Sequence, residues 1–510
     1  MVNPPWRPRV SNLARIVKLP VLALTAVFVL VSALQCWQPV SDHGVEQHIK
    51  ATHALEVPQL SVELTSVLSL GLNWFWIETK ISELDSEFGS RGVQHVHLKD
   101  DFIQNLQAQE PLPTDFALVD NLAIQYTNQT FRGYNLWNEM ALGTICRNFG
   151  VQPFDICNDP LRFEGAIKAE FQSLSRQLVI AERLLSKHNP QLVLYVQGYV
   201  GSTGPFRAVA RRKRITTLSL ENSMHKDRLV WDCETGMSTQ STQVKSVYGL
   251  LNVTTHRSTN VIKDYLNQVG KLKMQQHSVA RSNSTETKLP GLDRKRKTVL
   301  FLGQVYNDAA VVFGLHEAFR SSSHLIQELT SIVSRMKDAN LVVRLHPKEC
   351  LKAQTGLTVK QMELHVQSKV VRDYRHLFEE DPTKFVLDDC RKYDTYDLIR
   401  DADLVVTINS QAGLEAAALG KPLILAGRAL YGGMGFSKEV RSVDELRSAI
   451  ASGISKSGKM SVEAHAIAIK LTYVFLFKYS IPRKAVDIAD LAAWAVEGCC
   501  GKNIWRNSLF

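Results

Sequence analysis

Residues 403–427 read DLVVTINSQAGLEAAALGKPLILAG. Leu404 to Ile408 form an uncharged, largely β-branched run of the kind buried in a parallel sheet. Asn409 and Ser410 interrupt it, and the Ala- and Leu-rich stretch 411–420 has helical composition. Gly420-Lys421-Pro422 ends that helix, after which 422–427 is apolar again. Strand, helix and strand in that order make a βαβ unit, whose two strands lie parallel in one sheet.

The same alternation extends on both sides. Strands are predicted at 298–304 (TVLFLGQ), 341–345 (LVVRL) and 384–389 (KFVLDD), with helices at 321–338 and 394–402. Together these predict a doubly wound α/β domain over 298–460, followed by helices over 461–510. The run 471–479 (LTYVFLFKY) is too short, and too interrupted by Lys478, to span a membrane. Upstream, 191–199 (QLVLYVQGY) and 215–222 (ITTLSLEN) read as buried strands, and 164–188 repeats apolar residues at helical spacing. They place a second α/β domain at 61–275, on the acceptor side, with a polar, basic, Ser- and Thr-rich linker at 276–297.

The 510 residues are too many for one ordinary core, and 45% hydrophobic with 22% charged residues describes a globular chain. A net charge of +10 suits acidic partners such as nucleotides, phosphorylated sugars or membrane surfaces. No nucleic-acid-binding module is visible, so nucleic acid is not an expected partner. The eight cysteines form no CxxC metal-site pair; Cys146 and Cys157 are close enough in sequence to bridge, though buried thiols are the commoner reading.

Residues 19–37 (LPVLALTAVFVLVSALQCW) carry no charge, and Arg7, Arg9, Arg15 and Lys18 precede them. About 20 apolar residues with positive charge on the amino-terminal side read as a transmembrane signal anchor, with a cytoplasmic tail at 1–18 and a stem at 38–60. A cleaved signal peptide is the rival reading. The anchor predicts a single-pass type II membrane protein, in the Golgi or ER membrane of a eukaryote or the inner membrane of a bacterium. Sequons at Asn128, Asn252 and Asn283 suit a lumenal eukaryotic chain.

Ligands of open α/β sheets bind where strands end and helices begin, and several such loops carry chemistry. Strand 341–345 runs into Arg344, His346, Pro347 and Lys348, whose cationic groups suit a phosphate, with the proline holding the loop. The alternative for His346 is a turn histidine bonded to a carbonyl. In 409–422, Asn409-Ser410 followed by a helix aims backbone N–H groups and a hydroxyl at a phosphate. Gly413 would let a ligand approach closely. Glu415, read in the first helical turn, would accept from ribose hydroxyls or offset the helix dipole. In 304–308 (QVYND), Gln304 is a hydrogen-bonding residue and Asp308 a base or a helix cap. In 221–228 (ENSMHKDR), Glu221 is a candidate base or acceptor contact or an ordinary helix start. The loops 197–204 and 431–436 (YGGMGF) are glycine-rich. None has the order of a P-loop or dinucleotide fingerprint, which argues against ATP hydrolysis and NAD chemistry. Asp401-Ala402-Asp403 spells an Asp-x-Asp but opens a strand at the end away from the ligand edge, so no metal is expected.

The runs QVYND, VVRLHPKE, DADLVVTINSQAGLEAAALGKPLILAG and YGGMGF, in this order over 298–436, resemble the capsule polysaccharide synthesis family, which includes bacterial β-Kdo transferases. The resemblance implies a GT-B fold, two Rossmann-like domains facing a cleft. It also implies a nucleotide-sugar co-substrate, such as a CMP-activated acid sugar, held by the carboxy-terminal domain. The anchor and the long amino-terminal region depart from the family; taken with the resemblance they make the leading reading a membrane-anchored glycosyltransferase with no cofactor, which moves a sugar to a glycan or glycolipid acceptor. Carried over by position, His346 and Pro347 form the nucleotide-phosphate motif, Ser410 contacts a phosphate, Glu415 a ribose, and Gln304 and Asp308 line the cleft. His346 would then stabilise the leaving group and Glu221 or Asp308 would act as base. Two other readings stand beside it: a CDP-polyol phosphotransferase, and a non-catalytic glycan-binding protein on the same fold.

Overall fold

The computed structural model describes residues 65–482 except for 71, 73–80, 117–129, 197–200, 202, 223–227, 233–247, 250–257, 268–291, 347–374, 377, 389–392, 456–458 and 480. The expected anchor, the three sequons and most of the linker lie outside the described residues. Among the described residues no helix is long and apolar enough to cross a membrane.

The first sheet is built from β1 (Ser66–Leu70), β2 (Gln94–Leu98), β3 (Leu192–Val196), β4 (Thr216–Asn222) and β5 (Arg228–Asp232). Helices α1 (Ile81–Ser90), α2 (Asp100–Gln109), α3 (Leu142–Phe149), α4 (Pro153–Asn158), α5 (Pro160–His188) and α6 (Thr203–Arg212) accompany it. Strands β2, β1, β3 and β4 are parallel neighbours, and β5 pairs antiparallel to β4. The apolar stripe of α5 (Phe163, Ile167, Phe171, Leu174, Leu178) is buried, which is why a helix of 29 residues holds in one piece. Proline at its first turn and Asn189 in the left-handed region at its end set its limits.

The second sheet contains β6 (Lys297–Leu302), β7 (Ala339–Arg344), β8 (Phe385–Asp388), β9 (Leu404–Thr407), β10 (Leu423–Leu425) and β11 (Ser437–Glu439). All its pairs are parallel, in the order β8-β7-β6-β9-β10-β11. This is the doubly wound Rossmann order. Every side chain of β7 and β9 is buried; the apolar runs 341–343 and 404–406 foretold this, whereas Asn340 and Arg344 of β7 did not. Its helices are α7 (Ala309–Gly314), α8 (Ser322–Ser334), α9 (Thr395–Asp401), α10 (Gln411–Ala418), α11 (Val443–Ser455) and α12 (Val462–Tyr473).

The run 471–479 is helical, with Leu471, Val474, Phe475, Leu476 and Tyr479 in a protein core. The chain then returns to the first sheet, where β12 (Ile481–Pro482) pairs with β5. A polar seam also joins the halves. Gln152, 1% exposed, donates to Tyr306 O at 2.7 Å and Ser322 Oγ at 2.8 Å and accepts from Ser322 N at 2.9 Å. Tyr306 donates to Asp155, and Asn307 to Arg147 O. Cys146 and Cys157 are not joined by a disulfide.

Candidate functional site

In the second sheet the strand order reverses between β6 and β9, which is where a doubly wound sheet opens a ligand crevice. Gln304 and Asn409 meet at that point: Asn409 N donates to Gln304 Oε1 at 3.0 Å. Asn409 Nδ2 donates to Ala310 O at 2.7 Å and Arg428 O at 3.0 Å. Its Oδ1 is buried without a hydrogen-bond partner among the described residues. Thr407 Oγ1 donates to Leu302 O, and Gly303 N to Arg344 O, so the ends of β6, β7 and β9 are tied together. A Cβ on Gly303 would lie 2.9 Å from Arg344 O, and only glycine allows that approach.

Ser410 caps α10, accepting from Ala412 N at 3.3 Å, which puts the positive end of the helix at the crevice. His346 follows β7 by two residues and is half-buried at the same edge. Gln304, His346, Asn409 and Ser410 are therefore brought to one edge by three neighbouring strands. Pro347 and Lys348 lie outside the described residues.

Three expected site residues, Arg344, Gly413 and Glu415, occupy different ground, and Asp308 takes the capping role read as its alternative. Arg344, 6% exposed, is in ion-pair contact with the fully buried Asp388, its register partner on β8, and donates to Thr395 Oγ1 at 3.2 Å. Inside a sheet a guanidinium must be paired, and this one is spent on holding β7, β8 and α9 together. Asp308 is the cap of α7, accepting from Ala310 N at 2.8 Å. At Gly413 the space a Cβ would need is filled by Tyr431 OH at 2.5 Å and Thr407 Cγ2 at 2.7 Å, so this glycine makes room for packing and not for a ligand. Glu415 sits in the second turn of α10, 3% exposed, and accepts from Tyr396 OH at 2.9 Å. Burial and the Glu415 carboxylate push the hydroxyls of Tyr396, Tyr265 and Tyr431 up. That carboxylate is engaged inside a core, one turn below the crevice.

Two supports of the crevice were missed in the sequence. Tyr431 donates to Ser410 O, and Arg428 N donates to Gly314 O at 2.6 Å, fixing the loop after β10 against α7. A tyrosine ahead of a glycine run is the signal for the first; Arg428 carried none. Asp403 accepts from Thr298 N and pairs with Lys297, at the opposite edge of the sheet. Among the described residues no group of three His, Cys, Asp or Glu side chains is placed to hold a metal.

On the first half, Glu221 is the penultimate residue of β4, half-buried and opposite Val230 of β5. Glu170, on α5, is a further carboxylate. It hydrogen-bonds Thr144, whose Oγ1 is also 3.5 Å from Gly201 N in the loop after β3, and burial pushes it up from 4.5 to about 7. Its spacing between Ile167 and Leu174 on the apolar stripe of α5 marked it in the sequence, unread.

Residues 250–475 match the family described as capsule polysaccharide biosynthesis protein. The motifs at 298–436 that resemble the capsule polysaccharide synthesis family lie within that match. A comparison with curated proteins finds no match. Similar solved structures include Thermosulfurimonas dismutans KpsC, a beta Kdo 2,7 transferase, at 18% identity and TM-score 0.34 over 62% of this chain and 87% of that one. The beta Kdo 2,4 transferase of the same organism's KpsC is 17% identical with TM-score 0.33, over 55% and 86%. Methanocaldococcus jannaschii UDP-GlcNAc 2-epimerase, in complex with UDP-GlcNAc and UDP, is 12% identical with TM-score 0.30, over 81% and 99%.

Proposed function

We propose that this protein is a glycosyltransferase that takes a sugar from a nucleotide-sugar donor, a CMP-activated acid sugar being the first to try, and passes it to a glycan or glycolipid acceptor. The observation that carries the reading is the meeting of Gln304, Asn409, Ser410 and His346 at the reversal point of a Rossmann-ordered sheet. The capped amino terminus of α10 suits the donor phosphate. The imidazole of His346 offsets charge as the nucleotide leaves. The two halves form a GT-B cleft, with the donor on the second and the acceptor on the carboxyl edge of the first, where a base must take the acceptor proton. An amino-terminal anchor holds this machinery at a membrane, where lipid-linked acceptors are found.

The test is product analysis by mass spectrometry. The purified protein is incubated with a panel of nucleotide sugars and a glycolipid extract. The reading predicts acceptors heavier by one sugar residue and release of free nucleotide, with turnover reduced on the order of 100-fold in His346→Ala. Products heavier by a polyol phosphate from a CDP-activated donor would replace it with phosphotransfer. Binding without turnover would leave a glycan-binding protein.

A further inference from the structure

At the outer edge of the first sheet three strand residues and one helix residue form a hydrogen-bonded line. Ser69 on β1 and His97 on β2 are register partners, and His95 lies on the same face of β2. Asp85, on α1, accepts from His95 Nδ1 at 2.5 Å. His95 Nε2 is 2.8 Å from Ser69 Oγ, and Ser69 Oγ is 2.9 Å from His97 Nδ1. Ser69 is fully buried and the His95 side chain nearly so, while the Asp85 carboxylate is half exposed. Phe88 packs on the His95 ring with centroids 5.0 Å apart.

Proton counting fixes the direction of every bond. Asp85 can only accept, so His95 carries its proton on Nδ1. A neutral His95 then has a bare Nε2, which accepts from Ser69. The serine has only one proton and has spent it, so its oxygen must accept from His97, and His97 carries its proton on Nδ1. The Nε2 of a neutral His97 is therefore a bare lone pair. Burial lowers the pKa of both imidazoles, which keeps them neutral near pH 7. The ionisable groups around His97 are Asp85 on α1, His95 on its own strand, and Lys99 and Asp100 where α2 begins.

His97 is the penultimate residue of β2, next to β1, and the order of the first sheet reverses between β1 and β3. It thus stands at the carboxyl edge assigned above to the acceptor. We propose that Asp85, His95 and Ser69 are positioning residues that hold His97 with Nε2 unprotonated, and that this nitrogen is the base for the acceptor hydroxyl. The proposal rests on the glycosyl-transfer reading. As the acceptor oxygen bonds to the anomeric carbon, its proton passes to His97 Nε2. The bond from that carbon to the nucleotide phosphate breaks, and its electron pair leaves on the phosphate oxygen. The Nδ1 proton of His97 can then pass to Ser69 Oγ while the hydroxyl proton passes to His95 Nε2. The charge comes to rest on an imidazolium facing the Asp85 carboxylate, within reach of water.

The test combines spectroscopy and kinetics on the full chain. Nitrogen NMR of the protein labelled in histidine reports each tautomer directly. The expected spectrum at pH 7.5 shows His97 protonated at Nδ1 and bare at Nε2, with that preference lost in Ser69→Ala, a change of one buried oxygen. His97→Gln should lower nucleotide release from the nucleotide-sugar panel by about 100-fold or more while leaving the thermal shift by free nucleotide intact. Asp85→Asn should move the acid limb of the rate profile rather than nucleotide binding. A wild-type His97 protonated at Nε2, or a His97→Gln protein that turns over normally, overturns the proposal. If the wild type itself neither binds nucleotides nor turns over, the glycosyl-transfer reading falls and the base role with it, whereas the tautomer still decides whether the relay exists.

Discussion

A buried ionisable side chain must be paired, neutral or strained, and the residues of this protein sort along those lines. Arg344 and Asp388 are paired inside the sheet. Arg344→Met removes the cation that faces the buried Asp388 carboxylate and should cost about 3–5 kcal/mol in urea unfolding. Arg344→Met combined with Asp388→Leu should recover a large part of that loss; a double variant no more stable than the single one would show that the pair is not the cause. Glu170 takes the neutral option. Its pKa is raised from 4.5 to about 7, so the folded state binds more protons than the unfolded state between those values, and stability falls as pH rises through the window. Glu170→Gln removes this fall. The melting temperature of the variant should gain on the wild type from pH 4.5 to 7, and parallel curves would contradict the assignment. At this scale the sequence was half legible. It picked out Gln304, His346, Asn409 and Ser410 because residue type and place at a strand end suffice for an edge position. It misjudged Arg344, Gly413 and Glu415 because whether a side chain turns outward depends on partners such as Asp388, Tyr431 and Tyr396, which are distant in sequence or come from another element.

Element by element, apolar runs translate into strands with small errors. Strand 341–345 is observed at Ala339–Arg344 and 384–389 at Phe385–Asp388; the helix read at 321–338 ends at Ser334. Such boundaries follow from local pattern and from caps, like Ser321 and Ser410, that chemistry makes visible. The packing of α10 was not visible. Gly413 admits the Tyr431 hydroxyl, which in turn holds Ser410 O at the crevice. Gly413→Ala should therefore lower the melting temperature despite the better helix propensity of alanine. Gly413→Ala with Tyr431→Phe, which removes the colliding oxygen, should restore part of the loss. A stabilised single variant would mean that the glycine is there for something other than the tyrosine.

Over the whole molecule, the sheet order and the joining of the halves are long-range facts. The pairing of β12 with β5 and the bonds of Gln152 to Tyr306 and Ser322 connect residues more than a hundred positions apart, and no local pattern foretells them. The α/β character of both halves was legible, because alternating strand and helix leaves few other architectures. Gln152→Ala removes three hydrogen bonds from a buried seam and leaves Ser322 N without its partner. Hydrogen exchange should quicken at the Ser322 amide and along the start of α8, with the interior of β9 unchanged. Unaltered exchange at Ser322 would mean that the halves are held by other contacts.

The most direct test of the central claim, a nucleotide site at the reversal point between β6 and β9, is a thermal-shift screen of the purified protein against CMP, CDP, UDP, GDP and ADP. Binding to the folded state raises the melting temperature by mass action. The account predicts a selective shift with one of them, CMP first, that is lost in both His346→Ala and Asn409→Ala. No shift with any nucleotide, or a shift that both variants keep, would contradict it.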